Sequence, residues 1–251
     1  MADLTDLVVN CPNVFGHFAD KVNTCSAVIG SQHAAELSCF QVPEAYSGAI
    51  RSAPILFIGS NPSIDYRELF PTYGWTAEEL ADFFECRFNR EHQWVRDGRR
   101  VRRVDGTYGQ VVKTWAHIIR VATELISHRR LRYGVDYAIT ETARCKSRAD
   151  GGVTKPVICE CTDRFFGPTL AASPAAVVIA LGGKASAAVS RALGRPNIPR
   201  YFDAPIEGTM RTIIHLDYPG ARKRNDRPPP RWYLRDVLPT EVLERLRIGL
   251  A

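Results

Sequence analysis

The sequence predicts an α/β fold: a three-layer α/β/α arrangement around a central four-stranded parallel sheet. Two observations carry this. Four short strand-forming runs recur along the chain, at 54–59 (PILFIG), 136–143 (DYAITETA), 175–182 (AAVVIALG) and 211–216 (RTIIHL). The stretches between them have helical character, and strands separated by helices favour a parallel sheet covered on both faces.

The first run is the most informative. Ile55, Leu56, Phe57 and Ile58 form an unbroken apolar series, which suits a strand buried on both sides. It stops at Gly59, where glycine permits an unusual backbone geometry, and passes to Ser60-Asn61-Pro62-Ser63. Small polar residues therefore sit at the carboxyl end of a central strand, the end where open α/β sheets bind ligands. The alternative is a plain exit from strand to loop. Between the first two strands, Val112, Trp115, Ile118, Ile119, Ala122 and Ile126 follow the helical period. A second helix is expected through 159–173, interrupted or kinked at Gly167-Pro168. A third covers 183–194 and stops at Gly194.

A chain of 251 residues with 45% hydrophobic and 24% charged residues is an ordinary globular composition. It is read as a single domain over 1–251, with 1–50 as an N-terminal extension and 89–110 as a basic hairpin insertion. No apolar stretch approaches the roughly 20 residues of a membrane helix. The N-terminus, MADLTDLVVNCPN, places acidic residues before apolar ones, unlike a secretory signal. The expectation is a cytoplasmic monomer without a membrane partner.

A net charge of +6 is compatible with a polyanionic partner. Two stretches concentrate it. The segment HQWVRDGRRVRRVDG carries Arg96, Arg99, Arg100, Arg102 and Arg103 around a hairpin signal at Asp97-Gly98. The segment ARKRNDRPPPRWYLRD follows the fourth strand and combines Arg222, Lys223, Arg224, Arg227 and Arg231 with Trp232 and Tyr233. Both can be solvated faces; together, beside strand ends, they point to phosphate contacts and base stacking. The seven cysteines, in a cytosolic chain, are expected as buried thiols or metal ligands, and no C-x-x-C pair marks a zinc ribbon or finger.

Four landmarks in order resemble the uracil-DNA glycosylase superfamily, particularly its iron–sulfur branches. ILFIGSNPS resembles its first motif, a strand ending in Gly-x-x-Pro, and ITETARCKSR…VICEC resembles its second strand and the cysteine-bearing loop. SPAAVVIALGGKAS is similar to its Pro-x-x-hydrophobic-Leu-Gly-x-x-Ala segment, and IIHLDYPGARKR occupies the place of its last motif. The likeness spans roughly residues 39 to 235. It implies base-excision DNA repair: a hydrolase that cleaves the N-glycosidic bond of uracil or a related damaged base flipped from DNA. A DNA-binding protein of the same fold without catalysis, and a nucleoside hydrolase, are the alternatives.

The resemblance also implies roles. Asn61 positions the water, with Asp65 as the nearest assisting carboxylate. Gly59, Ser60 and Ser63 shape the base pocket, with Ser63 leaving it roomy, and Phe70 or Tyr73 stacks on the base. Glu141 stands four residues before Cys145, where many relatives carry an asparagine that reads the uracil edge. An ionised carboxylate only accepts hydrogen bonds, so Glu141 either accepts from an amino group, binds while protonated, or pairs with Arg144 or Lys146. Tyr218-Pro219-Gly220 replaces His-Pro-Ser, so Tyr218 supports the leaving base, or His215 does if its loop turns inward. Arg222, Lys223, Arg224 and Lys184 are expected on phosphates. Cys145 and Cys161, which enclose fifteen residues, resemble two ligands of a 4Fe-4S cluster. Cys25 and Cys39 are assigned as the other pair because they lead into the first strand, and Cys159 is an alternative to Cys161.

Overall fold

Alternate residues of the central strands feed two different cores, and this parity sets the architecture. The computed structural model describes residues 3–219 and 231–251. Arg222, Lys223 and Arg224, assigned above to phosphates, lie outside the described residues. The elements run α1 (Leu4–Val9), α2 (Pro12–Phe18), α3 (Ser26–Gly30), β1 (Ile55–Gly59), α4 (Ala77–Cys86), β2 (Val95–Arg96), β3 (Arg100–Val101), α5 (Lys113–Leu125), β4 (Tyr137–Glu141) and α6 (Lys155–Cys161). A π-helical turn over Thr162–Phe166 leads to α7 (Gly167–Ala172), followed by β5 (Val177–Leu181), α8 (Gly182–Ala192), β6 (Tyr201–Ile206), β7 (Thr209–Leu216) and α9 (Thr240–Gly249).

The central sheet has five strands in the order β4-β1-β5-β7-β6, which corrects the expected four. The four predicted strands are present and mutually parallel. The fifth, β6, pairs antiparallel with β7 at the sheet edge. Its sequence YFDAPI hides it, because Asp203 and Pro205 are exposed and a proline argues against a central strand. The turn that joins it to β7 places Glu207 and Gly208 at φ 50° and 73°, the positive values a tight primed hairpin needs.

Leu56 and Ile58 of β1, with Val178 and Ala180 of β5, face a core formed with the N-terminal helices, α4 and α6–α8. Ile55 and Phe57, with Val177 and Ile179, face a second core built with α5 and α9. Residues 4–50 are more than an appendage: Val8, Val14, Val28, Phe40 and Ile50 are wholly buried in the first core. Ser47 exchanges backbone bonds of 2.8 and 2.9 Å with Ile139, covering the outer edge of β4. The kink expected at Gly167-Pro168 takes the form of the π turn, which runs directly into α7 with Pro168 in its first turn. The hairpin at 95–101 forms as expected, with Asp97 and Gly98 at φ 56° and 66°. No helix among the described residues is long and apolar enough to cross a membrane.

Candidate functional site

At the carboxyl end of the sheet, parallel register sets Gly59 of β1 beside Glu141 of β4. The loops that follow stay zipped together. Thr142 N and Ala143 N donate to Gly59 O and Ser60 O at 3.1 and 3.0 Å, and Ser147 N donates to Pro62 O at 3.1 Å. Ile64 N donates back to Ser147 O at 3.2 Å. Two chains of small polar residues are thereby fixed on rigid strands, which is how a scaffold holds a precise site.

They border a cavity of about 290 Å³. This lies at the lower end of the roughly 300–1,000 Å³ of small-molecule pockets and suits one planar heterocycle. Gly59, Ser60, Asn61, Ser63, Asp65 and Glu141, all expected at the site, line it, as does Tyr218. Asn61 Nδ2 donates to Ser147 Oγ at 2.9 Å and to Pro62 O at 3.1 Å. A carbonyl only accepts, so the amide orientation is set. Asn61 Oδ1 is buried and without a partner among the described residues.

Glu141 is in the same position. Its Oε2 is buried and unpartnered among the described residues. The ion pair considered with Arg144 or Lys146 is not made. Arg144 donates instead to Ala45 O, Thr140 Oγ1 and Thr169 Oγ1, and Lys146 Nζ donates to Glu68 Oε2 at 2.6 Å. Burial, reinforced by the nearby Glu44 carboxylate, pushes the Glu141 carboxyl well above the ordinary carboxylate range. This neighbourhood corrects the reading of Gly59. Its backbone is not left-handed; a Cβ there would overlap the Glu141 carboxyl group. Gly59→Ala is expected to fold normally while displacing that flexible carboxyl from the cavity wall. The measurement is ligand affinity or activity beside the thermal midpoint. A drop in the first without a shift of more than a few degrees in the second is the expected pair.

Sequence reasoning missed the charged wall. Arg87 donates to Glu44 Oε1, Ser47 Oγ and Glu68 Oε1 at 2.7, 2.8 and 2.7 Å, and all four side chains of the Glu44–Arg87–Glu68–Lys146 chain are buried. Burial alone would lower the Arg87 pKa, but Glu44 and Glu68 raise it. The guanidinium also lies about 5 Å from the Phe70, Phe83 and Trp115 rings. Two cations and two carboxylates balance, so this wall is rigid and neutral, and removing one member strands a buried charge. Arg87 sits among Phe83, Phe84 and Phe88 in the sequence, a lone cation in an apolar run that was the available signal.

Several expected residues lie elsewhere. Phe70 is packed edge-on against Phe83 and Phe84, beneath Lys146 at 3.7 Å, and does not line the cavity. Tyr73 donates to Val9 O at 2.5 Å and packs on Phe15 and Phe40. The aromatics that line the cavity are Trp115 and Tyr218, the latter sharing a 3.0 Å hydrogen bond with Thr114 Oγ1. His215 does not turn inward. It bonds Ser186 Oγ at 2.9 Å, stacks on Phe202, and is pushed down to about 4 by burial and by Arg200. Asp65 is ionised: burial would raise its pKa, but the Arg67 backbone and side chain hold it below the usual range. Lys184 is engaged by Asp150 at 2.7 Å and is away from the cavity, whereas Arg67 and Arg103 line it.

Of the four cysteines expected as cluster ligands, Cys25, Cys145 and Cys161 are buried and Cys39 is exposed. Cys11 is buried as well. A hydrogen bond from Cys161 pulls the Cys25 thiol down to about 7, and Asn13 Nδ2 donates to its sulfur at 3.4 Å. Burial pushes the Cys145 thiol up. Cys39 lies exposed beside Ser38 and Glu36, whereas Cys11 stands at the start of α2. Cys159 is only half-buried, one turn-side away from Cys161 on α6. Cys11, Cys25, Cys145 and Cys161 are thus four buried thiols carried on separate elements.

Neither a family model nor a curated protein matches the chain.

Proposed function

We propose that the chain is a DNA N-glycosylase that takes a deaminated or otherwise damaged base, flipped from DNA, into the cavity beside Asn61 and hydrolyses its N-glycosidic bond. One observation carries the reading: Asn61 Oδ1 and Glu141 Oε2, on neighbouring strand ends lining one cavity, are buried with no partner among the described residues. Buried polar atoms are nearly always satisfied, so a pair left unmet on a cavity wall marks where ligand groups belong. Asn61 Oδ1 accepts from the attacking water and orients its lone pair toward the sugar carbon. As the glycosidic bond breaks, the water adds to the oxocarbenium-like sugar, its proton is lost to solvent, and the base departs with the bonding electrons.

Glu141 reads the base. A neutral carboxyl group donates one hydrogen bond and accepts one, which complements an N–H beside a C=O. Uracil, hypoxanthine and xanthine all present that edge. Trp115 and Tyr218 supply flat surfaces, with the Tyr218 hydroxyl a donor to the leaving base. Arg67 and Arg103 are cations at the cavity suited to the flanking phosphates. The four buried thiols of Cys11, Cys25, Cys145 and Cys161 are the proposed ligands of a 4Fe-4S cluster. Such a cluster would act structurally, tying the N-terminal helices to α6 and to the loop after β4.

The test is a panel of oligonucleotides carrying uracil, hypoxanthine or xanthine, incubated with the protein and then with alkali. Strand breaks at a lesion are the expected result. Salt-sensitive binding with no breaks would mean a binding protein, and base release from free nucleosides but not DNA would mean a nucleoside hydrolase. Anaerobically purified protein is expected to be brown with visible thiolate-to-iron absorption, lost in Cys25→Ser and retained in Cys39→Ser.

A further inference from the structure

We propose that Asp82, Cys86 and His92 form a binding site for a zinc-type divalent cation on the outer side of α4, separate from both the cavity and the buried thiols. Asp82 and Cys86 are one helical turn apart and so share a face of α4. His92 is brought to them by the segment that leaves the helix, and one ligand atom from each of the three lies within 4.8 Å of the others. The 3.6 Å between Asp82 Oδ2 and His92 Nδ1 is too long for a hydrogen bond. It is close to the roughly 3.3 Å edge between two ligands held about 2.0–2.1 Å from one tetrahedral zinc. The imidazole is held in place by stacking on Trp94, with ring centroids 4.5 Å apart and planes within 15°.

The electrostatics favour a cation. The charged groups around Cys86 are the Asp82, Glu85 and Glu91 carboxylates, so the thiol sits in a negative field. A divalent ion would reverse that field, displace the thiol proton to solvent and bind the resulting thiolate. One nitrogen, one sulfur and one oxygen donor select zinc over magnesium or calcium, which prefer all-oxygen sets. Three protein ligands leave a fourth position for water. The bound ion would clip the end of α4 to the segment leading, through Trp94, into the arginine-rich β2–β3 hairpin.

Cobalt titration of the chelator-treated full chain tests this, with zinc as competitor. The difference spectrum of wild type minus His92→Ala is expected to show thiolate-to-cobalt charge transfer and tetrahedral d–d bands at one equivalent. Zinc should abolish them, and Cys86→Ser should lose the same bands. Zinc affinity is expected to fall at least tenfold in His92→Ala, while Cys25→Ser keeps the difference spectrum. A null difference spectrum, or bands that persist in Cys86→Ser, overturns the site. Because His92 is partly exposed and Cys86 only half-buried, both variants are expected to remain folded, which circular dichroism checks.

Discussion

Asn61→Ala is expected to lower single-turnover base release about a hundredfold to a thousandfold while DNA affinity changes less than several-fold. The size follows from what is lost. A group that positions the reacting water contributes on the order of 10²–10⁴ in rate, and an amide, which orients water without taking its proton, belongs in the lower part of that range. The selectivity follows from how the loop is built. Its shape rests on backbone bonds from Ala143, Ser147 and Ile64 to the segment's carbonyls and back, none of which needs the Asn61 side chain. Alanine surrenders the bonds to Ser147 and Pro62 and removes the unmet oxygen, leaving the cavity walls and Arg67 and Arg103 in place. Cleavage of a lesion-bearing oligonucleotide, read beside fluorescence anisotropy with the same duplex, measures both quantities. Unchanged turnover would remove Asn61 from the chemistry.

What could be read from sequence follows burial. β1, β4, β5 and β7 announce themselves because both faces of each are covered, and continuous apolar runs have few other uses. β6 is covered on one face, carries a proline and sits at an edge, so its pairing exists only by virtue of β7. The Ser60–Ser63 loop was legible as a candidate site because small polar residues at a buried strand end are conspicuous, and it does line a cavity. The role of Gly59 was legible only as permission for odd backbone; the real constraint is its parallel neighbour Glu141, eighty-two positions away in the chain. The same limit hid the Glu44–Arg87–Glu68–Lys146 wall, whose members share no period. It also led to Cys39 as a buried ligand: nearness to the first strand in sequence is no guide to burial, and Cys39 is exposed. Phe70 and Tyr73 had the right chemistry for stacking, but both are used up by the aromatic core, and Trp115 from α5 reaches the cavity instead.

Glu141 yields the prediction that separates a base reader from a structural carboxylate. Burial raises its pKa in the folded protein, so the neutral form dominates up to that raised value and the ionised form only above it. A ligand edge that needs a donor beside an acceptor binds the neutral form, and activity is therefore expected to fall as pH rises through the raised pKa. Glu141→Gln supplies a permanent N–H donor beside a C=O acceptor, so it should keep activity within about tenfold and lose that alkaline limb. Glu141→Ala supplies neither and should lose a hundredfold or more, since a site built around polar partners rejects a mismatch strongly. Stability moves in a linked way. The raised carboxyl contributes fully below its unfolded value near 4.3, and that contribution is lost progressively as pH climbs toward the folded value. Glutamine has no proton to lose, so Glu141→Gln should be more thermostable than wild type at pH 8, with the gap closing toward pH 4. Glutamine activity equal to alanine, with the alkaline limb intact in both, would show that the carboxyl group serves the strand end and leaves base recognition to other residues.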